Sequence, residues 1–416
     1  MSFLVRLSFK NLFRHRLRTV VSIGAIAFSV MVVVFARGYV TGMVHSVTAD
    51  HIQYNSGHIK IVQEEYYRQE RLLPLNHSVD GLGEGGLDEM IGKLEELDGV
   101  NMVIPRLKFG AMVSTGDELL TLGGWGVNPE LELAFTDIED SLVEGRMIQP
   151  GRLEVVMGTK LLDKIDRRVG DKVTVVFNTA FNSLSGVTFE IVGRLKSGLK
   201  LLNEAVFLLP LDEAQRLLYM DDQVTELLLV TEDVGKIEEV LPKIKALLSE
   251  DGRYLALSYR ETSDLIPFMD LAELIYNQVY FFLVVLACVI VVNTMIMIVA
   301  ERTKEIGMMA ALGLERRGIM ELFLIEGGIM GVVGSLLGAM AGWLITSYFA
   351  EAGLDFTQAM AGIDADVPFN AIIYPSASLG NTVFAFLLGV VIVTLACLIP
   401  ARRAANLEPT VAMRGA

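Results

Sequence analysis

Only two cysteines occur in 416 residues, Cys288 and Cys397, and each lies inside a long apolar run. That scarcity excludes a disulfide framework, and no Cys/His cluster has the spacing of a metal site. The two thiols read as small apolar residues buried in a membrane. No G-x-x-x-x-G-K-[ST] segment is present, so the chain lacks the usual device for cradling nucleotide phosphates. HExxH and GxSxG are absent as well. The five histidines, His15, His45, His51, His58 and His77, crowd the first fifth of the chain. His51 and His58 have no acidic partner at useful spacing and read as surface or structural residues. No catalytic, cofactor-binding or metal-binding residue is expected, and any energy source must come from another subunit.

What the chain has in quantity is apolar length. It is 52% hydrophobic and 20% charged, with a mean hydropathy of +0.48. That mixture predicts a few membrane spans plus a large water-facing domain. Uncharged runs at 19–36, 274–300, 327–350 and 367–401 approach or exceed the ~20 residues a spanning helix needs. The expected organisation is a basic amphipathic elbow at 1–18 and spans at 19–40, 271–300, 319–350 and 376–400. A domain at 41–270 separates the first two spans, and a loop or short helix at 301–318 separates the next two. A loop at 351–375 and a tail at 401–416 complete the chain. No small-x-small cleavage site closes the first apolar run, so it is expected to remain as a span.

Residues 1–18 hold Arg6, Lys10, Arg14, Arg16 and Arg18 and no acid, and the tail contains Arg402, Arg403 and Arg414. By the positive-inside rule both termini are expected in the cytoplasm. The segment 41–275 would then lie outside it, with 22 basic and 40 acidic residues. Such an acidic exterior argues against a nucleic-acid partner.

Short β-rich runs at 58–62, 111–114, 119–122, 173–177, 188–192, 205–209 and 226–231 alternate with helical patterns at 87–97, 159–165, 211–219 and 234–248. Strands interleaved with helices at this density predict an α+β domain, with one excursion between about Arg106 and Leu195. The stretch 178–186 (NTAFNSLSG) reads as a hairpin loop exposing Phe181 and Leu184. It is either an ordinary surface loop or a docking point for a soluble partner. In the third span Gly327, Gly331, Gly334, Gly338 and Gly342 make small-xxx-small steps that allow close helix packing, within the subunit or between subunits. Glu326 is expected near the headgroups at the edge of this span.

The segment 293–313, NTMIMIVAERTKEIGMMAALG, is a polar hinge between two spans. Its wording resembles the ERTxEIG…LG signature of the MacB/FtsX-like ABC transporter permeases. FKNLFRHRLRTVVSIGAIAF at 9–28 is similar to that family's opening. The stretch 144–175, with Gly145-Arg146, Gly158 and Gly170-Asp171, resembles its exterior-domain signature. IPARRAANLEPTVAMRG at 399–415, with Pro400, Arg402, Arg403 and Pro409, resembles its closing motif.

The resemblance implies a membrane α-helical protein of four spans carrying a large α+β extracytoplasmic domain. Two such subunits, identical or homologous, would sit on a cytoplasmic ATPase dimer that binds the ATP and Mg. It further implies that Glu301, Arg302, Thr303, Lys304, Glu305, Ile306, Gly307, Leu312 and Gly313 couple to the ATPase. Size and span count look most like the lipoprotein-releasing LolC/LolE-type subunits of a bacterial inner membrane, although the 178–186 loop is shorter than theirs and has no proline. In that reading Phe181 and Leu184 meet a periplasmic carrier, while Val32, Val33, Phe35, Tyr280, Phe281 and Leu283 face an acyl-chain cavity or membrane lipid. Adaptor-assisted efflux of an amphiphile and non-transporting signalling are the alternatives.

Overall fold

The computed structural model describes residues 8, 14, 16–83, 85–114, 119–197, 199–249, 251–356 and 372–407. Phe9, Lys10 and Phe13 of the elbow, most of the 351–375 loop, and Pro409 and Arg414 of the tail lie outside the described residues. Two compact units emerge, one of 1–45, 268–355 and 373–416 and the other of 46–267 and 356–372.

The first unit is a helical bundle. Its elements are α1 (Arg16–His51), α2 (Leu265–Glu301), α3 (Thr303–Ala311), α4 (Arg316–Ala352), α5 (Leu379–Ala396) and α6 (Leu398–Ala405). Helices α1, α2, α4 and the α5–α6 pair are long and apolar enough to cross a membrane. α2 contains no glycine, and its one proline, Pro267, sits in the first turn, where a missing N–H costs nothing. α5 gives way to α6 at Cys397 because Pro400 has no N–H to offer the carbonyl of Ala396.

The glycine row of α4 is buried inside this unit. A methyl group on Gly327 would overlap Cys397, and Gly331 abuts Val393, so the first half of α4 lies against α5 and α6. Gly334 and Gly342 abut Ile26 and Val34, and a methyl on Gly338 would overlap the Ala27 carbonyl. The second half of α4 therefore lies against α1. Around it Val33, Tyr280, Met295, Phe323, Val393 and Cys397 form one core.

The second unit is α+β. Its strands are β1 (Ile59–Gln63), β2 (Val100–Ser114), β3 (Leu119–Val127), β4 (Leu142–Gly145), β5 (Glu154–Gly158), β6 (Lys172–Asn178), β7 (Leu184–Leu195), β8 (Val206–Pro210), β9 (Glu226–Thr231) and β10 (Tyr254–Ser258). They run in the order β10-β1-β9-β2-β3-β8-β5-β7-β4, with β6 bridging β2 and β7. β2 organises the sheet. Its first half pairs with β9, from Val100 to Arg106, and its second half pairs with β3 and β6.

Two cores follow that division. One gathers Ile59, Ile61, Met90, Leu227 and Ile244, the other Phe109, Leu161, Phe177, Phe189 and Phe207. The second extends to Met220, beyond the expected limit at Leu195, because β8 and the helix Leu211–Leu218 pack into it. Helices Leu87–Glu95 and Ile237–Leu248 cover the first core with their apolar faces.

On the opposite face of β1, β2 and β9 from these two cores lies a buried ionic cluster. Glu226 accepts ion pairs from Lys60 Nζ at 2.8 Å and Lys108 Nζ at 2.7 Å, all three side chains being fully or nearly fully buried. Arg106 forks onto Glu132 and donates to the carbonyls of Gln53 and Tyr54 at 3.0 and 2.8 Å. Lys108 also lies 4.7 Å from the Trp125 ring centre. Burial pushes the Glu226 carboxyl up, but the two ammonium groups prevail and bring it down to about 2.

Two predictions follow from these contacts. Gly338→Val in α4 should lower bundle stability in detergent by about 1–3 kcal/mol, whereas Gly328→Ala, which meets only ordinary contact, should be neutral or slightly stabilising. Thermal unfolding of the two variants measures the difference. For Glu226 the folded value lies below the ordinary 4.5, so its contribution is complete above pH 4.5 and disappears as pH falls towards 2. That contribution is on the order of 3 kcal/mol. Glu226→Gln should cost about 3–5 kcal/mol at neutral pH by leaving the Lys108 ammonium without a carboxylate and Lys60 with Glu70 alone. It should also flatten the acid limb of a denaturation profile between pH 4.5 and 2.

Candidate functional site

The segment from Glu301 to Arg317 makes a compact element at one end of the bundle. α2 stops at Glu301, Arg302 caps α3, and α3 ends where Gly313 takes a φ of +97°, which favours glycine. Leu314 N–H donates to the Met309 carbonyl at 3.0 Å and Gly313 N–H to Ala310 at 3.1 Å, the pattern of a glycine-closed helix end. α4 begins immediately afterwards.

The charges of this element divide by use. Arg302 is buried; its Nε donates to Glu305 at 2.9 Å and its Nη1 to Glu326 at 3.3 Å, with Phe323 beside it. Glu326 is therefore an interior anchor between α3 and α4, not a carboxylate exposed to headgroups as its place in the sequence suggested. Arg14 reaches Glu305 at 2.5 Å and Arg18 reaches Glu301 at 2.6 Å, so basic residues before the first span tie onto the hinge. Ser8 adds a hydrogen bond to the Leu322 carbonyl at 3.2 Å. Partial burial pushes the Glu305 carboxyl up, but hydrogen bonds from Arg302 and Arg14 outweigh it and hold it below the usual range.

Ile306 and Gly307 face inward, and the Thr303 hydroxyl donates back to Ala300 at 2.8 Å. Lys304, Met308, Ala311, Leu312 and Gly313 are exposed, together with Arg316 and Arg317. Leu312 is 89% accessible and Met308 55%. Spacings of four along α3 put Lys304, Met308 and Leu312 on one outward face. Sequence reasoning missed Met308 because it reads as part of the apolar helix, and only the direction of burial distinguishes it.

In the second unit the β6–β7 loop is closed by hydrogen bonds from Thr179 N–H to Ser183 O at 2.9 Å and from Ala180 N–H to Leu218 O at 3.1 Å. Phe181 and Leu184 are exposed, and Tyr219 joins them with its ring 5.9 Å from that of Phe181. Tyr219 belongs to a separate helix end, so no local pattern linked it to the loop. A cavity of about 850 Å³ also opens in this unit, lined by Asp50, His51, Leu122, Trp125, Leu199 and Lys200 among others.

The six residues assigned to an acyl cavity separate. Val33 and Tyr280 are buried in the bundle's own core, Val32, Phe35 and Leu283 are half-buried, and Phe281 is exposed. Val33 and Tyr280 thus belong to the core of this chain's own bundle: the helical period turns them inward, which a linear apolar run does not reveal.

Two family models match this chain, one after the other along its length. The family model for the MacB-like periplasmic core domain matches residues 19–247, and that for the FtsX-like permease C-terminal domain matches 277–409. The lipoprotein-releasing system transmembrane protein LolC of Neisseria meningitidis is 23% identical over 77% of this chain and 79% of its own length. A macrolide export ATP-binding/permease protein MacB of Hyphomonas neptunium is 26% identical over 62% of this chain and 38% of its own. Among solved structures, the extracellular domain of the transporter YknZ overlaps 48% of this chain and 99% of its own at 15% identity, with a TM-score of 0.34. With a MacB-like core domain over more than half its length and an FtsX-like C-terminal region, the chain belongs to the FtsX/MacB/LolC-type ABC transporter permeases.

Proposed function

We propose that this chain is the permease subunit of a mechanotransmission ABC transporter, in which a separate cytoplasmic ATPase drives release of lipoproteins from the inner membrane. The observation that carries the ATPase half of this reading is the outward face of α3. Lys304, Met308 and Leu312 are presented by an element in which Glu301, Arg302 and Glu305 are occupied with holding it to the bundle. Exposed apolar side chains gain most from burial against a partner, and Lys304, Arg316 and Arg317 orient the approach. In this assignment Glu301, Arg302, Glu305, Ile306 and Gly307 position the face and do not themselves meet the ATPase.

The cargo half is supported by the LolC relative, whose name describes lipoprotein release, and by an apolar tip at Phe181, Leu184 and Tyr219 suited to a soluble carrier. Exposed Phe281, with Val32, Phe35 and Leu283, is the remaining candidate surface for acyl chains between two subunits. The MacB relatives favour a second reading, efflux of an amphiphile with a periplasmic adaptor. The same tip would then be the adaptor contact.

Met308→Asp or Leu312→Asp should weaken coupling to the ATPase by roughly ten-fold or more, the size expected of a central interface residue, without shifting the permease's own melting temperature. Unchanged stimulation of the ATPase by either variant would remove α3 from the contact. For the cargo, the chain is purified with its partners in mild detergent and everything retained is identified by mass spectrometry. Triacylated lipoprotein peptides beside an ATPase are the expected result; a periplasmic adaptor without lipoprotein would decide for efflux.

A further inference from the structure

We propose that Arg37, with Asn277 and Tyr280, forms a binding site for the phosphate of a membrane phospholipid at the end of the bundle opposite α3. Arg37 lies on α1, and its Nε donates to Asn381 Oδ1 on α5 at 2.7 Å while its Nη1 donates to Asn277 Oδ1 on α2 at 2.9 Å. The Phe384 ring lies 4.1 Å beneath the guanidinium, and Asn381 Nδ2 is held by the Thr41 hydroxyl at 3.2 Å. Three helices thus converge on one half-buried cation.

Its partners are all neutral. Among the described residues the two buried arginines meet carboxylates: Arg106 meets Glu132, and Arg302 meets Glu305 and Glu326. Among the described residues no carboxylate pairs with Arg37. A cation at a membrane position is costly unless an anion compensates it. A guanidinium carries five N–H donors in a planar fork that fits phosphate oxygens, and the bonds to Asn381 and Asn277 leave donors over.

A second observation points the same way. Tyr280 lies one turn beyond Asn277 on α2 and is 2% accessible, yet its hydroxyl has no hydrogen-bond partner among the described residues. It lies within electrostatic reach of Arg37, and also of Tyr276 and the Glu273 carboxylate on its own helix. A buried hydroxyl normally has a partner, and an anionic oxygen between Arg37 and Tyr280 would satisfy both groups.

The level and the surroundings identify a lipid as the source. From Arg18 to Arg37 α1 rises roughly 28 Å at about 1.5 Å per residue, close to the ~30 Å thickness of the hydrocarbon layer. With Arg18 at one headgroup level, Arg37 stands at the other. The helices that supply Asn277 and Asn381 carry exposed Phe281, Phe282, Val383 and Leu387, an apolar surface for acyl chains that inorganic phosphate would not use. This site does not depend on which cargo the transporter handles.

The test is native mass spectrometry of the full chain in mild detergent, titrated with phosphatidylglycerol, with a diacylglycerol of the same acyl chains, and with inorganic phosphate. Phosphatidylglycerol should bind at least about ten-fold more tightly than diacylglycerol, the scale of a charge-assisted fork. Arg37→Gln should reduce it to the diacylglycerol level, with Arg37→Lys intermediate. Tyr280→Phe, which preserves charge and packing, should cost a few-fold and remains informative if Arg37→Gln fails to fold. Equal binding of the two lipids, or no change in either Arg37→Gln or Tyr280→Phe, would overturn the site. Inorganic phosphate competing as well as the lipid would reassign the site to a free anion and equally overturn it.

Discussion

Hydrocarbon is as apolar as leucine, so helices in a bilayer gain little by hiding apolar side chains from it, and their association depends on how closely their backbones approach. In this bundle that approach is concentrated on α4. Its glycine row admits Cys397 and Val393 on one half and Ala27, Ile26 and Val34 on the other. α1, α5 and α6 are all placed against α4 in this way, and the hinge element inherits its position from the same helix through Glu326 and Phe323. A side chain in the row would separate helices that have no other strong reason to meet.

Where charge is buried, the chain closes it locally. In the inserted domain three cations and their carboxylates meet where β1, β2 and β9 run together, on the face of the sheet opposite to the two apolar cores. At the end of the bundle Arg302 plays the comparable part with Glu305 and Glu326. Buried clusters of this kind add little net stability compared with apolar replacements, but they penalise any arrangement that breaks them. They fix the register of the elements that carry them, and this is what leaves the exposed face of α3 in a defined orientation.

Much of this architecture was legible from the residues. Uncharged runs mark the four long helices because length and lack of charge are properties of the chain itself. Alternating β-rich runs marked β1, β6, β7, β8 and β9. β5, with the fully buried EVVMG, and the first half of β2 were not seen, since a short apolar run has no periodicity to separate strand from helix. The motif around Gly145-Arg146 was legible as a pattern but not as a structure. Arg146 proves to grip Glu154 with two bonds of 2.7 Å, and Gly145 takes a φ of +81°. At the hinge the residue types were evident, but which charges turn inward depends on partners as distant as Arg14 and Glu326. Contacts of that range leave no trace in local spacing.

The two cysteines have a practical consequence. Both are buried in the bundle, Cys397 directly against Gly327, and the inserted domain contains none. The natural chain therefore offers a quiet background to thiol-reactive probes. A fluorophore or spin label attached at one introduced cysteine would report from that place alone, and a pair of labels would act as a ruler for movement during the ATP cycle without first stripping the protein of its own thiols.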